Sequence, residues 1–356
     1  RSIDSFINAN MDIKITLNLV VNQTLTLMNV DAAAILYYDQ NLHMLEYAAA
    51  QGFHYKGIEK TRFELVNAFS EKAILERRMI IASDLSEIQD PVHKKMMQKE
   101  GFVACYITPM TAKGKTLGVL ELYKRAPLHP NQEWLDFIEA IGAQAAIAID
   151  NARLFHNLQT SNFELVMAYD ATIQGWSHAL ELKDSETEGH TLRVTETTVG
   201  IAKLAGLSEK EIMRIRRGAL LHDIGKMGIP DHILNKTGKL SSKEWDIVRQ
   251  HPQYAYDMLH SIEFLRPVLD IPYYHHEKWD GTGYPQGLRD LQIPYAARLF
   301  AVIDVWDALT SDRIYRKAWP KKKVFAHIKE QSGKHFDPQV VELFMKYTDT
   351  LAAHKK

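Results

Sequence analysis

Cysteine is almost missing from this sequence: Cys105 is the single one among 356 residues. One thiol cannot close an internal disulfide, and such usage fits a reducing compartment, so a cytoplasmic protein is expected. Cys105 falls in the apolar stretch Val103 to Ile107 and reads as a buried, inert thiol. Long hydrophobic runs are missing too. The stretch around Ala143 to Ile149 falls far short of the ~20 apolar residues that cross a bilayer. The first residues show no signal-peptide pattern. The chain starts at Arg1 without a methionine, which leaves open what precedes it. Neither sign of charge dominates: 43 Lys and Arg face 44 Asp and Glu, a net charge of −1. Bulk binding to nucleic acid or to a membrane therefore has no support in this segment. No internal repeat or low-complexity stretch occurs.

What is present suffices for two cores. The hydrophobic fraction is 46%, ordinary for globular protein, and the length suits two domains at roughly 100–200 residues each. The first residues read as a helix, with Ile13, Ile15, Leu17, Leu19 and Val20 among its apolar positions. A strand at Ala32 to Tyr38, the turn Asp39-Gln40-Asn41 and a strand at His43 to Ala50 follow. A helix is expected around Asn67 to Glu76. Tyr106 to Met110, the turn Lys113-Gly114-Lys115 and Leu117 to Tyr123 form a second hairpin. Two strands, helices, two strands and a closing helix make an α+β sandwich. This order resembles a GAF domain. The resemblance is carried by Ala32 to Ala50, by Gly118-Val119-Leu120-Glu121-Leu122-Tyr123, and by Phe137 to Phe155 with Asp150-Asn151-Ala152 inside it. It covers about residues 10–155, and residues 1–155 are assigned to a GAF-like sensor domain. It implies a small-molecule ligand; a dimerising spacer with an empty pocket is the alternative.

Residues 135–180 overlap that domain and read as one linker helix. Ile138, Ile141, Ala145, Ala148, Ala152, Phe155, Gln159, Asn162, Val166, Tyr169, Ile173, Trp176 and Leu180 recur in steps of three and four, the a/d spacing of a coiled coil. A homodimer paired along this helix is expected, with a break near Thr160-Ser161. A helix folded back on its own domain is the alternative.

Histidine is the compositional signal: 16 are present, several paired or beside carboxylates between positions 190 and 276. His222-Asp223-Ile224-Gly225-Lys226 follows the apolar Ala219-Leu220-Leu221 and is expected on a helix facing a pocket. Lys226, three residues past Asp223, shares that face. Glu186 and His190 are spaced i, i+4 and would lie side by side on a helix. His251 precedes Pro252. His275-His276-Glu277 leads into the turn-rich Asp280-Gly281-Thr282-Gly283-Tyr284-Pro285. Asp304 lies in the apolar run Phe300 to Trp306, where a carboxylate is costly to bury unless paired or bound to a cation. Nitrogen and oxygen donors without thiolate suit iron, manganese, zinc or nickel. The supply exceeds the needs of one ion, so two or three are implied, an arrangement suited to phosphoester cleavage.

These strings resemble an HD-GYP domain, as do Glu186-Thr187-Glu188-Gly189-His190, Asp304-Val305-Trp306-Asp307-Ala308-Leu309-Thr310 and Arg313-Ile314-Tyr315-Arg316. Residues 181–356 are assigned to an all-α catalytic domain of this HD type. The resemblance implies a phosphodiesterase that hydrolyses cyclic di-GMP to pGpG or onward to GMP. It implies metal ligands at Glu186, His190, His222, Asp223, His251, His275, His276 and Asp304. Asp223 would bridge two ions, and Glu186 would complete a third site, with iron favoured and manganese second. Lys226 would neutralise a phosphate oxygen beside the catalytic Asp223. Arg313, Arg316 and Lys317 would grip phosphate or guanine, and Tyr284 would pack beside a base. His178, His232, His260 and His335 have no matching motif and read as structural. A cyclic di-GMP receptor with little turnover and a phosphohydrolase of another nucleotide are the competing readings.

Overall fold

The computed structural model describes residues 2–54, 62–64, 69–82, 91–184, 189–312 and 317–353. Two compact units divide the chain, residues 1–164 and 165–356. Among the described residues no helix is long and apolar enough to cross a membrane.

The N-terminal unit contains α1 (Ser2–Met28), β1 (Ala32–Asp39), β2 (Met44–Gln51), β3 (Arg62–Glu64), α2 (Phe69–Glu76), β4 (Ile80–Ala82), α3 (Pro91–Glu100), β5 (Ala104–Ala112) and β6 (Lys115–Lys124). The strands form one antiparallel sheet in the order β3-β2-β1-β6-β5-β4. Strands β3 and β4 escaped the sequence reading because three residues are too few to show an alternation. Side chains alternate across a strand, and β1 is apolar on both faces. Ala32, Ala34 and Leu36 join one buried cluster with α2, while Ala33 and Ile35 join the other with Leu17 and Val21 of α1. The β5–β6 turn falls where expected: Lys113 and Gly114 both adopt positive φ, 49° and 76°, as a tight two-residue hairpin turn requires. Cys105 is buried, and burial pushes its thiol well above the ordinary range, which disfavours the reactive thiolate.

Helix α4 (Gln132–Lys183) runs for 52 residues without interruption, so the expected break near Thr160-Ser161 is absent. Thr and Ser lower helix propensity by only fractions of a kcal/mol, too little to end a long helix. Not all of the proposed seam is free to pair. Ile138 and Ala145 are buried in the core of the first unit, and Ile173 in a core of the second. Leu154, Phe155, Leu158 and Phe163 between them are exposed.

The second unit is helical: α5 (His190–Leu204), α6 (Glu209–Leu220), a 3-10 helix (Ile224–Gly228), α7 (Asp231–Leu234), α8 (Ser242–Val248), α9 (His251–Leu259), α10 (Asp270–Tyr274), α11 (Tyr295–Thr310), α12 (Lys321–Glu330) and α13 (Pro338–Ala353). Short helical pieces, α7 and the 3-10 turn Asp290–Gln292, lie between the longer helices. Capping boxes at Ser208/Glu211 and Ser241/Glu244 start α6 and α8. The core joins Val194 and Ile201 of α5, Ile215 and Ala219 of α6, Leu299 and Phe300 of α11, and Phe344 of α13. It fixes α5, α6 and α11, the helices that carry or lead into the site.

Candidate metal centre

Two groups of donors converge in the helical unit. Asp223, His251, His275 and His276 form one; His190, His222 and Asp304 form the other. Within each group the donor atoms lie within 4.8 Å of one another. Asp223 faces both. Its Oδ2 is 3.0 Å from His222 Nε2, while its Oδ1 is 3.4 Å from His251 Nε2 and 3.7 Å from His275 Nε2.

The His222-Asp223 pair does not sit on a helix, contrary to the sequence reading. Helix α6 stops at Leu220; Leu221 (φ −105°, ψ 5°) and Asp223 (φ −101°, ψ 6°) leave helical geometry before the 3-10 helix begins. On a regular helix neighbouring side chains diverge by about 100°, so two adjacent residues can face one centre only where the helix unwinds. Gly225 then lets α9 approach: a Cβ there would meet His251 O at 1.8 Å and Ala255 N at 2.7 Å. This contact brings His251, at the start of α9, beside Asp223.

The outward nitrogen of each ring fixes what the inward one can do. His222 Nδ1 lies 2.9 Å from Ala219 O, His251 Nδ1 2.7 Å from Val248 O, and His275 Nδ1 3.0 Å from Ile271 O. A carbonyl only accepts, so each Nδ1 carries a proton, and a neutral ring then presents a bare Nε2. Burial lowers the His251 pKa to about 4 and that of His276 well below its ordinary value, favouring neutral rings. Although burial opposes charge on Asp223, His222 and Lys226 hold its carboxyl well below the usual range. His251 Nε2 and His275 Nε2 face each other at 3.3 Å. His222 Nε2 is buried without a hydrogen-bond partner among the described residues. Phe300 packs against the His222 ring, 4.9 Å between centroids, and Asp223 Oδ2 is the polar atom beside that nitrogen. Bare, converging, buried nitrogens beside carboxylates form a donor set that fits a divalent cation.

Asp307 is the orienting group for His190, a role the sequence reading did not assign. Its Oδ2 is 2.7 Å from His190 Nδ1, and Arg193 Nε and Nη2 donate to its two oxygens at 2.9 and 3.0 Å. His190 Nε2 then points to Asp304 Oδ1, 3.4 Å away. The signal was available: Asp307 follows Asp304 by three residues on α11 and so shares its face. Outer partners of this kind are worth roughly 10–100-fold in metal affinity. Asp307→Asn is expected to weaken binding at the His190 group by about that factor, measured by titration of Fe(II) or Mn(II).

The remaining expectations divide. Lys226 Nζ lies 2.8 Å from both Asp223 Oδ2 and Asp184 Oδ2. Tyr284 stacks on His276, with centroids 4.7 Å apart and planes at 27°, and Arg249 lies over its ring at 5.8 Å. Gly283 serves close approach rather than an unusual φ: a Cβ would come within 2.6 Å of His276 O and Glu277 Cα. Gly281 does take positive φ, 81°. Lys317 is exposed and pairs with Asp312 at 3.0 Å, outside both donor groups. Glu186, Arg313 and Arg316 lie outside the described residues. Helix α5 starts at His190 after a left-handed Gly189. Among the other histidines, His260 stacks on Tyr256 and His335 on Phe336.

Residues 176–340 match an HD domain and residues 10–150 a GAF domain. The chain therefore joins a GAF domain to an HD domain. Among curated proteins, a 3'3'-cGAMP-specific phosphodiesterase of Vibrio cholerae is 35% identical over 58% of this chain and 39% of its own length. A cyclic di-GMP phosphodiesterase of Pseudomonas aeruginosa is 43% identical over 47% of this chain and 40% of its own. One from Thermotoga maritima is 42% identical over 47% and 46%. The chain spans less than half the length of each. A solved GAF domain/HD domain protein from Geobacter sulfurreducens is 12% identical over 41% of this chain and 96% of that one, with a TM-score of 0.36.

Proposed function

We propose that the chain is a metal-dependent phosphodiesterase that hydrolyses cyclic di-GMP to pGpG and onward to GMP, regulated by its GAF domain. The observation that supports this most is the facing pair His251 Nε2 and His275 Nε2, 3.3 Å apart beside Asp223 Oδ1. Two lone pairs at that distance repel unless a cation lies between them. Two ions suit the two donor groups, with Asp223 reaching both, and Glu186 would supply a carboxylate for a third. An all nitrogen and oxygen set suits iron, manganese, zinc or nickel, and the resemblance to HD-GYP domains favours iron among them, with manganese second. When bound, such ions polarise phosphoryl oxygens and lower the pKa of water.

The chain's own cations handle the substrate. Lys226 meets a non-bridging phosphate oxygen; Arg313, Arg316 and Lys317 grip phosphate or guanine, whose O6/N7 edge suits an arginine fork. Tyr284, stacked on His276, offers a face to a base. The curated relatives named as cyclic di-GMP phosphodiesterases support this substrate. The relative named as 3'3'-cGAMP-specific supports that dinucleotide as the second reading. The exposed Leu154, Phe155, Leu158 and Phe163 of α4 support a homodimer, and the GAF domain would take a small-molecule effector.

The test is hydrolysis of both dinucleotides by anaerobically purified, Fe(II)-loaded protein, with products resolved by chromatography. Release of pGpG or GMP from cyclic di-GMP is expected. Turnover of 3'3'-cGAMP alone would move the substrate assignment. Tight binding of cyclic di-GMP without turnover of either would make the protein a receptor.

A further inference from the structure

The last residue of α4 and the one after it grip the segment that follows the His-Asp pair. Lys183 Nζ donates to Met227 O at 2.9 Å and Ile229 O at 3.2 Å, and lies 3.4 Å from Asp231 Oδ1. Asn235 Nδ2 donates back to Lys183 O at 3.2 Å. Asp184 Oδ2 accepts from Lys226 Nζ at 2.8 Å. The 3-10 helix Ile224–Gly228 starts directly after Asp223. Its final carbonyls have no partner within so short a helix, and a lysine ammonium at a helix C-terminus both satisfies and stabilises them. Lys183 thus holds the end of this segment and Asp184 its middle.

We propose that this end of α4 is a clamp that positions the catalytic segment, with Asp184 as the positioning residue for Lys226. The inference rests on the reading of Lys226 as a phosphate contact. A lysine is a point charge on a flexible four-carbon stem, so its location depends on its anchors. Asp223 is one anchor, but a carboxylate shared with cations gives up part of its hold on a neighbouring ammonium. Asp184 belongs to neither donor group, so a cation held by those groups does not compete for it. Because Lys183 is the final residue of the 52-residue α4, any axial or rotational shift of that helix acts on Lys226 and on the carbonyls behind it together.

The test compares wild type, Asp184→Asn, Asp184→Glu and Lys183→Met in the full chain. The readouts are metal content, hydrogen exchange of the 222–229 segment, and kcat and KM for cyclic di-GMP. Asp184→Asn should keep wild-type metal content and lose about 10–100-fold in kcat, the range of outer partners at metal sites, with KM little changed. Asp184→Glu should recover part of the loss. Lys183→Met should speed exchange in the 222–229 segment with metal retained. Unchanged kcat in Asp184→Asn, or metal lost together with activity, would overturn the positioning role. Unchanged exchange in Lys183→Met would overturn the clamp. If wild type turns over no cyclic dinucleotide, the function reading fails while the exchange result still decides the clamp.

Discussion

Asp223→Ala is expected to abolish turnover, by at least ~10³-fold, or about 4 kcal/mol of transition-state stabilisation at 1.36 kcal/mol per tenfold. It is also expected to empty more than one metal position. The reasoning lies in its two oxygens, one 3.0 Å from His222 Nε2 and the other 3.4 Å from His251 Nε2. No other described carboxylate belongs to the His251, His275 and His276 group, so that group would become neutral. Three imidazoles without an anion bind a divalent cation less well and leave its charge uncompensated in a buried setting. Lys226 keeps Asp184 in this variant, so the fold around the 3-10 helix should persist. The check is metal content per chain together with hydrolysis rate. Asp223→Asn, which keeps the volume, should lose nearly as much because the missing quantity is charge. Wild-type metal content with lost turnover would confine Asp223 to a role on substrate.

The donor set was legible in the sequence because its members come as short strings with strong chemistry. His222-Asp223 and His275-His276 each supply two donors from one stretch of backbone, and the structure brings these strings together with His190, His251 and Asp304. The positions that orient them were less visible. Asp307 carried a helical spacing to Asp304 that could have been used. Asp184 carried none: it meets Lys226 across 42 residues, and a contact of that separation leaves no periodic trace. The sheet shows the same division. Strands β1, β2, β5 and β6, each eight residues or longer, announced themselves by length and composition, whereas β3 and β4 have three residues each. The helical setting assigned to His222-Asp223 failed for a geometric reason: apolar spacing shows where a helix runs but not where it must unwind to turn two neighbours inward.

Glu277→Ala is expected to be the most destabilising single change near the site, although Glu277 belongs to neither donor group. Its side chain is buried at 2% exposure. Oε1 accepts the backbone N–H groups of Gln286 and Gly287 at 2.7 and 3.1 Å, and Oε2 that of Leu288 at 3.0 Å. The carboxylate therefore stands in for secondary structure across a loop that has none. Removing it leaves three amides to find water or go unpaired, at roughly 1–3 kcal/mol for each that stays buried. Partial relaxation places the expected loss at about 3 kcal/mol, or roughly 6–12 °C in Tm for a unit of this size. Function should fall with it. Tyr284 N donates to His276 O at 3.2 Å, and the Tyr284 ring covers His276, so a loosened loop uncovers one donor group. Glu277→Gln keeps a single accepting oxygen and should fall between the two. Thermal unfolding, with hydrogen exchange at residues 286–288, separates the causes. Fast exchange at those amides with a modest change in Tm would mean the loop opens alone. Unchanged exchange would show that other groups hold the loop and would remove Glu277 from the account.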